Sequence, residues 1–188
     1  MRARAESAAA TRERILEAAT AAMRTRFRPD VRLADIAATA GVSVQTVLRT
    51  FGSRAALLDA VAEVAVADVA GEFTDVTPGD VAGIVHAYFE HYEKAGDLVV
   101  RNITDESDPE VHEFVERGRA AHRSGIETMF AAHLRHLPPA ARRRRVDALV
   151  CCLDVYVWKL LRRDLGRSRR DVERTVGTMI RSILEVEP

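Results

Sequence analysis

The amino-acid sequence predicts an all-α protein of nine helices. Apolar residues recur with the three-to-four-residue spacing of amphipathic helices along almost the whole chain, and no segment alternates apolar and polar residues as a half-buried strand does. Glycine and proline cluster between these stretches, where they end one helix and precede the next. With 188 residues, 47% of them hydrophobic and 30% charged, the chain has the composition of one or two small globular domains.

Four helices are expected in the first third of the chain. Pro29 breaks the first helix, Gly41 suits the left-handed end of the second, and Ser43 is a suitable N-cap for the third. Gly52 and Ser53 form the next break and cap, before a longer fourth helix. The expected helices are 11–24, 33–40, 44–51 and 54–71.

Five further helices are expected in the rest of the chain. Pro78 and Asp80 mark a helix start, with a proline in the first turn and an acid near its positive end. The pair Pro138-Pro139 ends another helix, and Ser168 with Asp171 resembles a capping box. The expected helices are 78–95, 97–104, 108–137, 140–165 and 168–185.

The segment 32–51 has the pattern of a helix-turn-helix, in which the second of two short helices lies in the major groove of DNA. On a helical wheel, Val47, Leu48 and Phe51 share the apolar side of that second helix with Val44. Gln45 and Arg49 project the other way, where glutamine can pair with adenine and arginine with guanine. The residues expected at DNA are Arg32, Ser43, Val44, Gln45, Thr46, Arg49, Thr50 and Arg54.

Charge is distributed unevenly, although the 28 basic and 28 acidic residues cancel overall. Residues 1–55 contain ten arginines and five acidic residues, a balance of +5, so the remainder has a balance of −5. A basic N-terminal end suits the phosphate backbone of nucleic acid. The alternative interpretation of the helix-turn-helix pattern at 32–51 is a generic helical hairpin with a solvated polar face.

Three N-terminal stretches resemble the TetR family of bacterial transcriptional regulators: 11–19 (TRERILEAA), 35–43 (DIAATAGVS) and 46–58 (TVLRTFGSRAALL). The stretch 154–173 also looks like family members rich in arginine and alanine. The resemblance implies a homodimer whose first three helices bind double-stranded operator DNA and whose body holds a small-molecule effector. The expected domains are a flexible basic arm (1–10), a helix-turn-helix domain (11–55) and a ligand-binding and dimerisation domain (56–188).

The recognition segment departs from the family pattern at three positions. Leu48 stands where the family usually has an aromatic residue, and Thr50 where it has an aromatic residue or a histidine. Arg54 replaces the lysine that is usual at the start of the fourth helix. Because leucine cannot donate a hydrogen bond to phosphate whereas arginine can, the operator contacts are expected to be fewer or rearranged.

The last two helices have more apolar surface than one core needs. From Ala148 to Trp158 the chain is apolar on every side except at Asp154, so one face is expected to meet a second chain. The final helix has an apolar stripe beside small residues at 175, 178 and 182. Together these helices predict a four-helix interface in a symmetric dimer, the alternative being a buried core helix in a monomer. The expected interface residues are Val157, Trp158, Val176, Met179, Ile180 and Ile183.

The helix expected at 108–137 has an unusual apolar face. Gly118 and Gly125 leave space on it, and His122 in such a face needs a polar partner. One interpretation is an effector cavity among the helices of the body, and the other is a core histidine bonded to a neighbour with glycines that allow close packing. The residues expected at the cavity are Phe89, Tyr92, Asn102, Phe114, Gly118, His122, Met129 and Asp154.

Other functions lack the residues that they need. No motif for phosphate binding, zinc binding or nucleophilic catalysis is present, so we expect no enzyme, no metal and no cofactor. The adjacent Cys151 and Cys152 form no disulfide framework and no apolar run has the length of a membrane span, so a cytoplasmic protein without a membrane partner is expected. The expected function is a homodimeric repressor released from a palindromic operator by a small molecule. The alternative is a helical dimer that carries a ligand or acts as an antirepressor without binding DNA.

Overall fold

A computed structural model describes residues 2–26, 28–104 and 106–186, and every regular element among them is helical, which confirms the all-α prediction. The α-helices are α1 (Arg2–Thr25), α2 (Leu33–Ala40), α3 (Val44–Phe51), α4 (Arg54–Glu72), α5 (Val81–Thr104), α6 (Pro109–Met129), α7 (Ala131–Leu134), α8 (Pro139–Cys152), α9 (Val155–Trp158) and α10 (Arg169–Glu185). A 3-10 turn (Arg28–Asp30) follows α1, and a π-helical turn (Lys159–Asp164) continues α9. With α7 counted as a continuation of α6, this described part of the chain has nine helices. None of its helices combines the length and the apolar character that crossing a membrane requires.

The chain forms two structural units. The first comprises Met1–Ala67 and Arg101–Val115, and the second comprises Asp68–Val100 and Glu116–Pro188. The first unit therefore extends past residue 55, where the helix-turn-helix domain was expected to end, and it includes a segment expected in the ligand-binding domain. No glycine or proline interrupts α4 between residues 55 and 67, so the sequence contains no local signal for this boundary.

The core of the first unit forms where α1, α2, α3 and α4 contribute one apolar stripe each. Ile15, Ile36, Val47 and Leu58 are the central side chains, and each is almost completely buried. Burying such side chains stabilises the fold by roughly 1.5–3 kcal/mol each. This core fixes α2 and α3 as a rigid pair against α1.

The start of α1 differs from the prediction. The described part of the expected flexible arm, residues 2–10, is the first section of α1, which begins at Arg2 and not near residue 11. Alanine, arginine and glutamate dominate this stretch, and all three have high intrinsic helix propensity. A helix already nucleated by the core can therefore continue outward along it.

The second unit has its own core, built from α5 and the C-terminal helices. Phe89, Leu149, Trp158 and Val176 have no exposed surface. The last helix, α10, packs against α8 and against the π-helical turn.

Three of the predicted helix boundaries are wrong in this part of the chain. A single helix, α5, begins at Val81 and not at Pro78, and it replaces the helices expected at 78–95 and 97–104, because Gly96 does not end a helix. A Cβ atom on Gly96 would lie 2.5 Å from the Trp158 ring, so the glycine makes room for that ring inside a continuous helix. Conversely, the helix expected at 140–165 is interrupted after Cys152, because Asp154 accepts a hydrogen bond from the Tyr156 amide at 2.8 Å and caps a new helix.

Candidate nucleic-acid interface

A tight left-handed turn joins α2 to α3. Gly41 has φ 65° and ψ 38°, a conformation that glycine adopts without the strain that a Cβ atom would add. Its amide donates to the Ala38 carbonyl at 3.3 Å, and the Val42 amide donates to the Ala37 carbonyl at 2.9 Å. These two bonds satisfy the end of α2 and set the direction in which α3 leaves.

The recognition helix α3 is positioned by its cap and by one buried side chain. The Ser43 hydroxyl accepts a hydrogen bond from the Thr46 amide at 3.1 Å, as an N-cap does. Val47 is the only α3 residue that is fully buried, while Phe51 is half-buried beneath the Arg12 guanidinium, 5.1 Å from its ring centre. Most of the α3 surface therefore faces solvent.

Gln45 and Arg49 occupy the exposed face of α3, as predicted. Both side chains are exposed, and no contact within the described residues holds either of them. Together with Ser43, Thr46 and Leu48 they line a shallow, open depression. An amide and a guanidinium presented in this way can form paired hydrogen bonds with base edges in a major groove.

Leu48 is a surface residue of α3 that the sequence analysis placed on the buried side. Its side chain is 41% exposed and that of Val44 is 38% exposed. Both lie four residues apart in one row of the helix surface, next to the row that contains Gln45 and Arg49. The signal that could have found Leu48 is its place on the helical wheel, at the edge of the apolar side nearest to Gln45.

The hydroxyl groups of α3 already have partners within the helix. The Thr50 hydroxyl donates to the Thr46 carbonyl at 2.8 Å, so it has no hydrogen left to donate to a phosphate. The hydroxyls of Ser43 and Thr46 lie 3.0 Å apart and bond to each other. The predicted contacts through Thr46 and Thr50 are therefore weaker candidates than those through Gln45 and Arg49.

The predicted phosphate contact of Arg54 is not supported by its surroundings. The Arg54 side chain is half-buried, and its Nε donates to the Val31 carbonyl at 2.9 Å. An Nη2 atom also donates to the Arg28 carbonyl. The guanidinium thus ties the start of α4 to the turn after α1, whereas Arg32 is exposed and is the better candidate for a phosphate contact.

Other arginines of the basic N-terminal end also act inside the first unit. The Arg28 side chain is 3% exposed and its Nη2 donates to Asp59 at 2.9 Å. Arg26 pairs with Asp35, and Arg14 donates to the Ala40 carbonyl at 3.4 Å. The +5 balance therefore overstates the charge that is available to DNA.

The helix α3 is N-capped, follows α2 through a left-handed turn and exposes a glutamine and an arginine. This arrangement defines a helix-turn-helix DNA-binding protein. Residues 15–61 match the family model described as bacterial regulatory proteins, tetR family. The resemblance to this family noted in the sequence is thereby confirmed over residues 15–61. A comparison with curated proteins finds no match.

Solved structures share this fold over almost the whole chain. A tetR-family transcriptional regulator from Streptomyces coelicolor is 19% identical, with a TM-score of 0.64 over 92% of this chain and 80% of that one. A transcriptional regulator from Rhodococcus sp. Rha1 is 16% identical, with a TM-score of 0.68 over 94% and 99% of the two chains. A TetR transcriptional regulator from the same Rhodococcus strain is 19% identical, with a TM-score of 0.56 over 97% and 99%. At these identities the likeness concerns the fold.

The residues expected at an effector cavity fall into both structural units. Asn102, which is buried, and Phe114, whose ring lies 5.8 Å from the Arg28 guanidinium, belong to the first unit. In the second unit, the Tyr92 hydroxyl donates to the Leu153 carbonyl at 2.9 Å inside the core. Also in the second unit are Asp154 and His122, together with Phe89, which is buried, Met129, which is half-buried, and Gly118, which is exposed on α6 and not on its core face as predicted.

His122 is the most unusual of these residues. Its ring stands edge-on to that of Tyr88 with 5.2 Å between the centres, and its Nε2 atom is buried without a hydrogen-bond partner among the described residues. The pKa of His122 is lowered, chiefly by burial, although Asp154 and the Val150 backbone oppose the shift. The ring is therefore neutral at pH 7, and its bond to the Val150 backbone leaves Nε2 as a buried acceptor.

Half of the predicted dimer contacts are core residues of a single chain. Trp158, Val176 and Ile180 have no exposed surface, so a second chain cannot touch their side chains. Trp158 also donates its indole N–H to Glu93 at 3.0 Å, within the same unit. Val157 and Ile183 are half-buried, and Met179 is 43% exposed. A hydrophobic pattern alone cannot tell which of two apolar faces packs within its own chain.

Within the described residues, no group of three or more His, Cys, Asp or Glu side chains could hold a metal ion.

Proposed function

We propose that this chain is a transcriptional regulator of the TetR family, a homodimeric repressor that leaves a palindromic operator when a small molecule binds its body. The observation that carries the proposal is the exposed face of α3, where Gln45 and Arg49 have no partner within the described residues while their neighbours are bonded internally. A protein that reads bases with one short helix per chain needs two linked helices to recognise two half-sites.

An exposed C-terminal apolar surface supports the dimer. We define this surface by Tyr156, Leu160 and Met179, which are 50%, 49% and 43% exposed. These residues lie on α9, the π-helical turn and α10, and the last two elements pack together. Large exposed apolar side chains on elements that pack together support a protein contact at this surface. A second copy of the chain is the occupant that the two half-sites of an operator require.

The surroundings of His122 support an effector site. An unpartnered acceptor in a buried aromatic setting costs free energy until a donor reaches it. The effector that fits is a small, largely apolar molecule with a hydroxyl or amide group that donates to Nε2. The protein leaves the operator if the effector binds better to a dimer whose α3 helices do not match the two half-sites. Operator DNA must then weaken effector binding by the same factor by which the effector weakens operator binding.

Selection of binding sites from random duplexes with the purified chain tests the proposal. We expect a palindromic consensus whose half-sites are one helical turn apart, bound by a species that sediments as a dimer at micromolar concentration. Salt-sensitive binding without any consensus would instead favour the helical dimer that carries a ligand or acts as an antirepressor.

A further inference from the structure

The recognition helix exposes two large apolar side chains beside its base-reading residues. Leu48 is 41% exposed and Val44 is 38% exposed, in a helix of eight residues with Val47 as its only fully buried member. Such side chains gain little folding free energy in water, and a partner that covers them would gain the free energy of their burial. Their exposed neighbours on α3 are Gln45 and Arg49, the candidate base-reading residues.

The hydrogen-bonding groups around these two side chains are few. The hydroxyls of Ser43, Thr46 and Thr50 bond within the helix, at 3.0 Å between the first two and 2.8 Å from Thr50 to the Thr46 carbonyl. Gln45 and Arg49 are therefore the exposed polar side chains of α3 that have no hydrogen bond within the described residues. The two exposed side chains in the row beside them, Val44 and Leu48, are apolar.

The spacing of these side chains matches the spacing of base pairs. Val44 and Leu48 form one row with four-residue spacing, and Gln45 and Arg49 form the adjacent row. Four residues of helix advance by about 6 Å, which is close to two base-pair steps of about 3.4 Å each. Each apolar side chain thus lies beside the base pair that its polar neighbour reads, or beside the next one.

We infer that Leu48, assisted by Val44, is a specificity-determining residue that reads thymine through its 5-methyl group. This inference rests on the operator binding proposed above. Thymine is the base that presents a methyl group in the major groove, and aliphatic side chains recognise it by apolar contact. Each half-site therefore contains a thymine within about two base pairs of the guanine that Arg49 reads.

Replacement of thymine by deoxyuridine tests the inference, because it removes the methyl group and keeps base pairing. The parent protein is titrated on its selected operator and on symmetric operators with deoxyuridine at one thymine position at a time. We expect weaker binding at one or two positions, by roughly threefold to fivefold for each methyl group lost. The same titrations with Leu48→Ala should show weaker binding to the thymine operator and no further loss with deoxyuridine at the Leu48 position.

Val64→Ala is the matched control, because Val64 lies on α4 and is also 41% exposed. This variant should bind like the parent and keep its preference for thymine. A Leu48→Ala variant that weakens binding to both operators equally would overturn the inference, since Leu48 would then contact the sugar-phosphate backbone. A consensus bound equally well with thymine or deoxyuridine contradicts the inference alone, whereas a parent that selects no consensus contradicts operator recognition itself.

Discussion

Two helices of this chain expose an apolar side chain to a similar extent, but the polar residues around the two side chains differ. Leu48 on α3 is 41% exposed and Met179 on α10 is 43% exposed. Leu48 is flanked by Gln45 and Arg49, which are exposed and have no partner among the described residues. Met179 lies near Thr175 and Thr178, whose hydroxyls donate to backbone carbonyls of their own helix at 2.8 and 2.9 Å.

The difference shows that exposure alone does not define an interface. Free donors and acceptors beside an apolar side chain suit a partner with polar edges, such as a DNA groove. Small residues whose hydroxyls are already satisfied suit the close approach of another helix, which offers no polar edge. The depth of burial differs too, because α3 has one fully buried residue whereas α10 has four.

The largest effect is expected from Met179→Glu. In the proposed dimer contact a charge at residue 179 has to be desolvated without a partner, so the dimer should dissociate. Operator affinity should then fall on the order of 100-fold, because two half-sites need two linked recognition helices. Sedimentation and operator titration measure both effects. Val64→Glu, on an equally exposed residue of α4, should leave a dimer.

Arg54→Ala should destabilise the first unit by about 2–3 kcal/mol, because two carbonyl groups lose a charged hydrogen-bond donor. Among molecules that remain folded, the salt dependence of DNA binding should be that of the parent. Arg32→Ala is the contrasting variant, since Arg32 is exposed: stability should be unchanged and the salt slope should fall by about one. Thermal unfolding and titrations at two salt concentrations distinguish the two roles. A lower salt slope for Arg54→Ala with unchanged stability would show that Arg54 contacts phosphate.

Two serine N-caps, Ser43 and Ser168, offer a paired comparison in which smaller effects are expected. Ser43 accepts from the Thr46 amide at 3.1 Å, and Ser168 accepts from the Asp171 amide at 3.2 Å. Replacing either serine by alanine should cost about 1 kcal/mol of local helix stability. Ser43→Ala should weaken DNA binding, because α3 has little else to hold it, while Ser168→Ala should leave binding unchanged at equal dimer concentration. Equal effects of the two variants on operator titrations would contradict the comparison.

The pH dependence of stability should report the buried His122. Because its pKa is lowered in the folded state, the unfolded chain binds the proton more readily, so the free energy of unfolding falls as pH drops below the unfolded pKa of about 6.5. Thermal unfolding at pH 7.5 and 5.5 measures the fall. His122→Phe should reduce it, and His112→Gln, at an exposed position, should not. A parent whose stability is the same at both pH values would contradict the burial of a neutral His122.

The helix-turn-helix was predictable because its signals are local. Gly41 and Ser43 act on their own neighbours within a few residues, so the turn and the cap could be recognised from the sequence. Gln45 and Arg49 followed from helical periodicity. Arg54 could not, because the carbonyl groups that hold it belong to residues 28 and 31, more than twenty positions away.

The body was less predictable because its determinants are distant in sequence. Glycine often ends a helix, but Gly96 lies inside α5, where it allows the close approach of Trp158, sixty-two residues later. Asp154, which was expected to contact a ligand, caps α9, a role that the sequence did not indicate. Val176 and Ile180 were expected between chains, although the apolar face that they form is covered by their own unit.

The most direct measurement of the central claim is the base preference of Gln45→Ala and Arg49→Ala. Parent and variants are titrated on the selected operator and on every single base-pair substitution of one half-site, repeated symmetrically in the other. Each variant should lose about 1–3 kcal/mol on the operator and should tolerate all four base pairs at one position per half-site, where the parent accepts one. Variants that retain the parent's preference at every position would show that the exposed face of α3 does not read DNA bases.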